Sequence, residues 1–275
     1  MRGLSADRTS SPGDAMQTTK SADGTVIAYD RIGDGPPLIV AVGAFCDRRS
    51  FVPSEDLTSR FTVYTYDRRG RGDSGDTEPY SPEREIADLA AVAEVAGPGS
   101  EVFAYGHSSG GALVLRAAAH SVPLSAVASY EPPFIIPGSR SVAQDPAGHI
   151  RELVAAGRRG DAVRYWMTEV VQAPAEVVTR MAGSPAWPGL EALTPTLPYD
   201  IALTGDQGVP AVLSTIAVPV LVLGGGTSPD WFHRAVQDTA AAIPGAKLVM
   251  MNGYSHAVPP AVVAPVLIEF FLGAS

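Results

Sequence analysis

The chain has 275 residues, 45% of them hydrophobic, which is enough for one large α/β domain carrying an insertion. A formal net charge of −9, with the arginines scattered, argues against nucleic acid or an anionic membrane as partner. Cys46 is the only cysteine, which excludes an internal disulfide and a cysteine-rich metal site.

In chain order, residues 1–14 are polar and lack the apolar stretch of a secretion signal. No later run approaches the ~20 apolar residues of a membrane span, so a disordered tail on a soluble, cytoplasmic protein is expected. Met16 to Lys20 and Thr25 to Arg31 predict two strands around the turn Ser21-Ala22-Asp23-Gly24. Leu38 to Val42 is an unbroken apolar run, the pattern of a strand buried on both faces of a parallel sheet. Phe61 to Tyr66 predicts the next strand, closed by the charged, glycine-rich loop Asp67 to Ser74. There Asp67 and Arg69 are expected to brace the loop, while Arg68 and Arg71 read as a solvated basic turn. Pro82 to Val95 predicts an amphipathic helix with a proline in its first turn.

Val102 to Tyr105 predicts a buried strand and Ala112 to Ala119 a helix, with Gly106-His107-Ser108-Ser109-Gly110 on the turn between them. Ser108 stands at the tip of that turn, beside the N-terminus of the following helix, where backbone N–H groups favour a developing negative charge. This is a nucleophile's position. His107 beside it is expected to pack into the support of the turn.

Leu124 to Tyr130 predicts another strand, ending in Glu131-Pro132-Pro133-Phe134. From 137 to 212 the pattern is helical, over Ala147–Arg158, Asp161–Gln172 and Ala175–Met181, followed by a looser stretch containing Trp187, Pro188 and Pro198. With no parallel-strand signal, this segment reads as a helical cap inserted into a core made of 15–136 and 213–275. The core resumes with a strand over Val218–Leu223, a helix over Pro229–Ile243, a strand over Lys247–Met251, the loop Gly253-Tyr254-Ser255-His256 and a helix over Ala261–Leu272. The fold class is therefore α/β, with a mostly parallel, doubly wound sheet. His256 follows a strand in a loop, where it can hang over the carboxyl end of the sheet. His120, His149 and His233 fall on helices or helix ends, and no cluster with metal-ligand spacing is present.

The order of these pieces resembles the α/β-hydrolase superfamily over nearly all of 16–275. The apolar strand ending in Val42-Gly43, the D-x-R-G-x-G-x-S run Asp67 to Ser74, the turn around Ser108 and the late His256 carry the resemblance. It implies that Ser108 is a nucleophile and His256 a general base and then acid. The N–H of Ser109 with that of Ala44, or of Phe45, would form an oxyanion hole. Two departures from the family pattern stand out. Val42 replaces the histidine that many relatives carry before this loop, and Ser228 stands where the usual acid is an aspartate. Glu131, at an alternative position used by some members, is taken as the acid, with Asp230, two residues past the usual one, as the alternative, since an acidic residue in a helix's first turn is already explained by the helix dipole. The Tyr130-Glu131-Pro132-Pro133 setting is similar to that of lactone-cleaving hydrolases active on macrolides such as zearalenone.

These features predict a cofactor-free, metal-free serine hydrolase acting on an ester or lactone of a mainly apolar, uncharged small molecule. Phe134, Trp166, Trp187 and Trp231 are the aromatic candidates for its pocket, with Phe45, Ile135 and Met167 beside them. A C–C bond hydrolase or non-hydrolytic biosynthetic enzyme on the same fold, and a non-catalytic ligand-binding member, are the rival readings.

Overall fold

A computed structural model describes residues 16–99, 101–141, 143–205 and 208–273. The tail expected over 1–14 lies outside the described residues. The chain opens with an antiparallel hairpin of β1 (Gln17–Lys20) and β2 (Val26–Ile32), closed by a turn in which the Gly24 N–H donates to the Ser21 carbonyl at 2.9 Å. Next come β3 (Pro37–Ala41), the short helix α1 (Glu55–Thr58), β4 (Thr62–Tyr66) and helix α2 (Pro82–Ala96), which carries its proline at the start where the missing N–H costs nothing.

The strand β5 (Phe103–His107) leads into helix α3 (Ser109–Ala119), which begins three residues earlier than the sequence pattern indicates. After β6 (Ala126–Tyr130) the chain forms α4 (Pro146–Ala155), α5 (Arg159–Tyr165), a wide π turn over Trp166–Val170, and α6 (Ala175–Ala182). The looser stretch is in fact helical, as α7 (Trp187–Leu193) and α8 (Leu197–Thr204). Pro188 and Pro198 sit in their first turns, where proline starts a helix instead of breaking it. The chain ends with β7 (Val220–Gly225), α9 (Asp230–Ala242), β8 (Lys247–Met251) and α10 (Pro260–Leu272).

The eight strands form one sheet in the order β1-β2-β4-β3-β5-β6-β7-β8, parallel from β4 through β8 and antiparallel at the β1 and β2 edge. Alternation along β3 divides its apolar run between two cores. Ile39 and Ala41 face the side packed by α2, α3 and α9, while Leu38 and Val40 face the side packed by α1 and α10. Helices on both faces explain why the central strands are hydrophobic throughout. A third, smaller core joins Ile150, Leu153, Ala162, Trp166 and Leu197, and Ala44 and Phe45 from the loop after β3 pack against it. The helical segment between β6 and β7 is thereby seated over the carboxyl ends of the parallel strands, where open α/β sheets place their ligands.

Candidate active site

Ser108 sits between β5 and α3 with φ 58° and ψ −126°, a backbone conformation disfavoured for a side-chain-bearing residue. Two contacts hold it there. The Ser108 N–H donates to the Tyr130 carbonyl at 2.8 Å, and β5 and α3 approach so closely that a Cβ on Gly106 would stand 2.2 Å from the Gly110 carbonyl oxygen. Gly110 is equally confined, 2.1 Å from the Ala41 carbonyl. Glycine at both positions is thus a steric requirement of the turn.

His256 follows β8, and its Nδ1 lies 2.6 Å from Oε2 of Glu131 at the end of β6. The other carboxylate oxygen of Glu131 accepts the Gly225 N–H at 2.7 Å. Burial opposes the charge on Glu131, but the hydrogen bond with His256 and the neighbouring Ser228 and Gly225 outweigh it and hold the carboxyl below its usual range. Asp230 is not brought to the histidine: it is exposed in the first turn of α9. Ser228, two residues before Asp230, is buried beside Glu131.

His107 packs as expected, its ring stacked on Tyr130 at 5.3 Å and tilted against His256 at 4.7 Å. It does more than fill space, because its Nε2 lies 2.8 Å from the His256 carbonyl oxygen. Burial first, and then the adjacent His256, depress its pKa to about 4, so at neutral pH the ring is uncharged and donates Nε2–H to that carbonyl. Phe232 also stacks on His256, at 4.6 Å and 22°. Ser108 and His256 border one cavity, and neither Ser108 Oγ nor His256 Nε2 is hydrogen-bonded to another described residue.

The loop after β3 brings Ala44 and Phe45 to the same cavity, with Phe45 at φ 57°. The backbone N–H groups of Ala44, Phe45 and Ser109 lack partners among the described residues. Support for this loop comes from a source that the sequence reading misassigned. Arg68 and Arg71 are not solvated: both are essentially fully buried. Arg71 Nη1 donates to the Gly43 carbonyl at 2.6 Å, and Arg68 Nη1 to the Val42 carbonyl at 3.3 Å. Asp200, on α8, joins the pair, accepting from Arg68 at 2.7 Å, from Arg71 at 2.8 Å on each oxygen, and from Ser109 Oγ at 2.6 Å. Glu85 of α2 takes the other edge of Arg68 at 2.8 and 2.9 Å. Two guanidiniums and two carboxylates thus balance in charge, and the two arginines hold the Val42 and Gly43 carbonyls of the loop after β3. Burial opposes the charge on Asp200, but Arg71 and Arg68 prevail and keep its carboxyl below its ordinary range.

Arg69 braces the turn as expected, pairing with Asp88 at 2.7 Å, and Asp67 accepts from the buried Arg48.

The cavity has a volume of about 350 Å³. Phe45, Ile135, Trp166, Met167, Trp231 and Phe232 give it a mainly apolar wall. Trp166 meets Phe45 edge to face at 6.1 Å, joining the helical segment to the loop after β3. Two expected pocket residues are elsewhere. Phe134 is buried in the core on the α2 and α3 side of the sheet. Trp187 lies within the helical segment, its Nε1 donating to Glu191 at 2.8 Å beneath the Arg164 guanidinium, because its indole found a polar partner four residues along its own helix.

A sheet with this order and a serine on the turn after its fifth strand define the α/β-hydrolase class. Residues 38–265 match the model of the alpha/beta hydrolase family, and the chain belongs to it. Among solved structures, an alpha/beta hydrolase from Sphaerobacter thermophilus is 47% identical, with 93% of this chain and 100% of that one covered and a TM-score of 0.87. A thermophilic esterase from Thermogutta terrifontis shares the fold at 19% identity, covering 94% and 98%, with a TM-score of 0.70. An enol-lactonase from Burkholderia xenovorans does so at 21%, covering 93% and 100%, with a TM-score of 0.63. Among the described residues, no helix is long and apolar enough to cross a membrane.

Proposed function

We propose that the protein is a serine hydrolase that cleaves an ester or lactone of a mainly apolar small molecule through Ser108, His256 and Glu131. The observation that carries this reading is the 2.6 Å contact between His256 Nδ1 and Glu131, with Ser108 on the same cavity. Ser108 Oγ attacks the substrate carbonyl while His256 Nε2 takes its proton, and Glu131 stabilises the resulting imidazolium and fixes the ring's tautomer. The negative charge of the tetrahedral intermediate falls to the N–H of Ser109 and that of Ala44 or Phe45. His256 returns the proton to the leaving alcohol, and water then releases the acyl group by the same steps in reverse. The apolar wall favours an apolar acyl or alcohol part.

A screen of short-chain, long-chain and lactone esters, run with a fluorophosphonate label, tests the reading. The wild-type protein is expected to take the label on Ser108. The Ser108→Ala variant should turn over several powers of ten more slowly, retaining what oxyanion stabilisation and binding supply. Near-wild-type activity in that variant would sink the mechanism.

A further inference from the structure

The charges near the cavity are for the most part spoken for: Asp200 by Arg68 and Arg71, and Glu131 by His256. Among the described residues, Arg140 is a cation without such a partner. It borders the cavity, its guanidinium lies over the Trp231 ring with Cζ 4.1 Å from the centroid, and Nη1 donates to the Val170 carbonyl. These contacts fix the group without neutralising it. Among the described residues no carboxylate is within ion-pair distance of Arg140, its buried Nε has no hydrogen-bond partner, and Nη2 has none either. Burial lowers its pKa, with no acidic neighbour among the described residues to offset the effect, yet an arginine keeps its charge even so. Glu169, which also borders the cavity, is exposed to solvent and makes no ion pair with it.

A partly desolvated cation with no counterion among the described residues is costly, and an apolar side chain in its place would suit the surrounding wall better. The position of Arg140 relative to the reacting groups indicates a use. Trp231 stacks on Phe232 at 3.7 Å and Phe232 on His256 at 4.6 Å, so the guanidinium and the imidazole stand at opposite ends of one row of rings along the cavity. We propose that Arg140 binds a carboxylate of the substrate, which is then an ester or lactone whose apolar body carries an anionic end remote from the bond that is cut. One guanidinium balances one negative charge, and its planar N–H edge matches a carboxylate. The proposal rests on the serine-hydrolase reading and adds charge recognition to it.

Two esters of equal chain length, the p-nitrophenyl monoester of adipic acid and p-nitrophenyl hexanoate, differ by a carboxylate in place of a methyl. The ratio of their kcat/KM values is expected to fall about tenfold or more on Arg140→Met, chiefly through KM of the adipate ester, and Arg140→Lys should retain part of it. Calorimetric titration with free adipate reads the same site without turnover. Binding to the wild-type protein that is lost in Arg140→Met would uphold the anion site even if neither ester were cleaved, in which case the hydrolase reading alone would fall. Hydrolysis of both esters with an unchanged ratio in Arg140→Met, together with no adipate binding, would overturn the anion site and leave the hydrolase reading standing.

Discussion

Glu131 carries two local burdens at once. Its φ is 45°, in the left-handed region, and it precedes Pro132, which pushes a preceding residue towards extended backbone. Such conformations cost roughly 1–3 kcal/mol and persist where surrounding contacts over-determine them. Here the Glu131 N–H donates to the Leu223 carbonyl at 2.9 Å, its carboxylate accepts from the Gly225 N–H, and the strain serves to aim that carboxylate at His256. Glu131→Gln is therefore expected to lower kcat by a factor on the order of 10⁴, as loss of the orienting acid does in this chemistry. Asp230→Asn, on an exposed first turn, should leave kcat within about twofold of wild type. Steady-state kinetics on one ester compare the two directly, and the reverse ranking would move the acid to α9. Glu131 was legible as the preferred acid because it follows a predicted strand at the alternative acid position that the resemblance supplies, while Asp230 in a helix's first turn is accounted for by the helix dipole; the 2.6 Å contact with His256 supports that preference.

At the scale of elements, the legible parts were those encoded locally. The apolar strands, the tight turn around Ser108 and the proline-started α2 each rest on neighbouring residues, and a periodicity or a glycine pair reveals them. Arg68 and Arg71 were misread because their partner Asp200 lies 132 and 129 residues away, so nothing in the loop's own sequence marks these charges as buried. Phe134 and Trp187 were misread for a related reason, since apolar character fixes that a side chain is buried and not which cavity or core receives it. The Arg68, Arg71 and Asp200 cluster ties α8 to the loop after β3 and, through Ser109 Oγ, to the first residue of α3. Asp200→Asn preserves the shape and removes the charge that balances two buried guanidiniums, which should cost about 3 kcal/mol or more of stability. Below the lowered melting temperature, kcat should drop with KM little changed, because the backbone N–H groups of the loop lose their fixed aim. A folded Asp200→Asn protein with wild-type kcat would reduce the cluster to a purely structural tie.

For the molecule as a whole, the carboxyl edge of the sheet and the helices above it enclose the cavity, and enclosure dehydrates groups that titrate near neutrality. His107 shows the consequence for stability. Tyr130 and His256 flank its ring, with Glu131 beside them, and burial sets its folded pKa at about 4 against about 6.5 in an unfolded chain. Between those values the unfolded chain binds a proton that the folded protein refuses. Stability is accordingly full above about pH 6.5 and is lost as the pH falls towards 4, by up to about 1.4 kcal/mol per unit. Denaturant titrations at pH 7.5 and 4.5, for the wild type and for His107→Gln, isolate this contribution. Glutamine keeps an N–H donor but cannot titrate. Groups distant from His107 contribute similarly to both pH dependences and largely cancel in the comparison. The wild type is expected to lose more stability between the two pH values, by on the order of 2 kcal/mol. Equal losses would mean that His107 takes up its proton as readily in the folded protein as in the unfolded chain, and that the site around it is wetter than its packing against Tyr130 and His256 indicates.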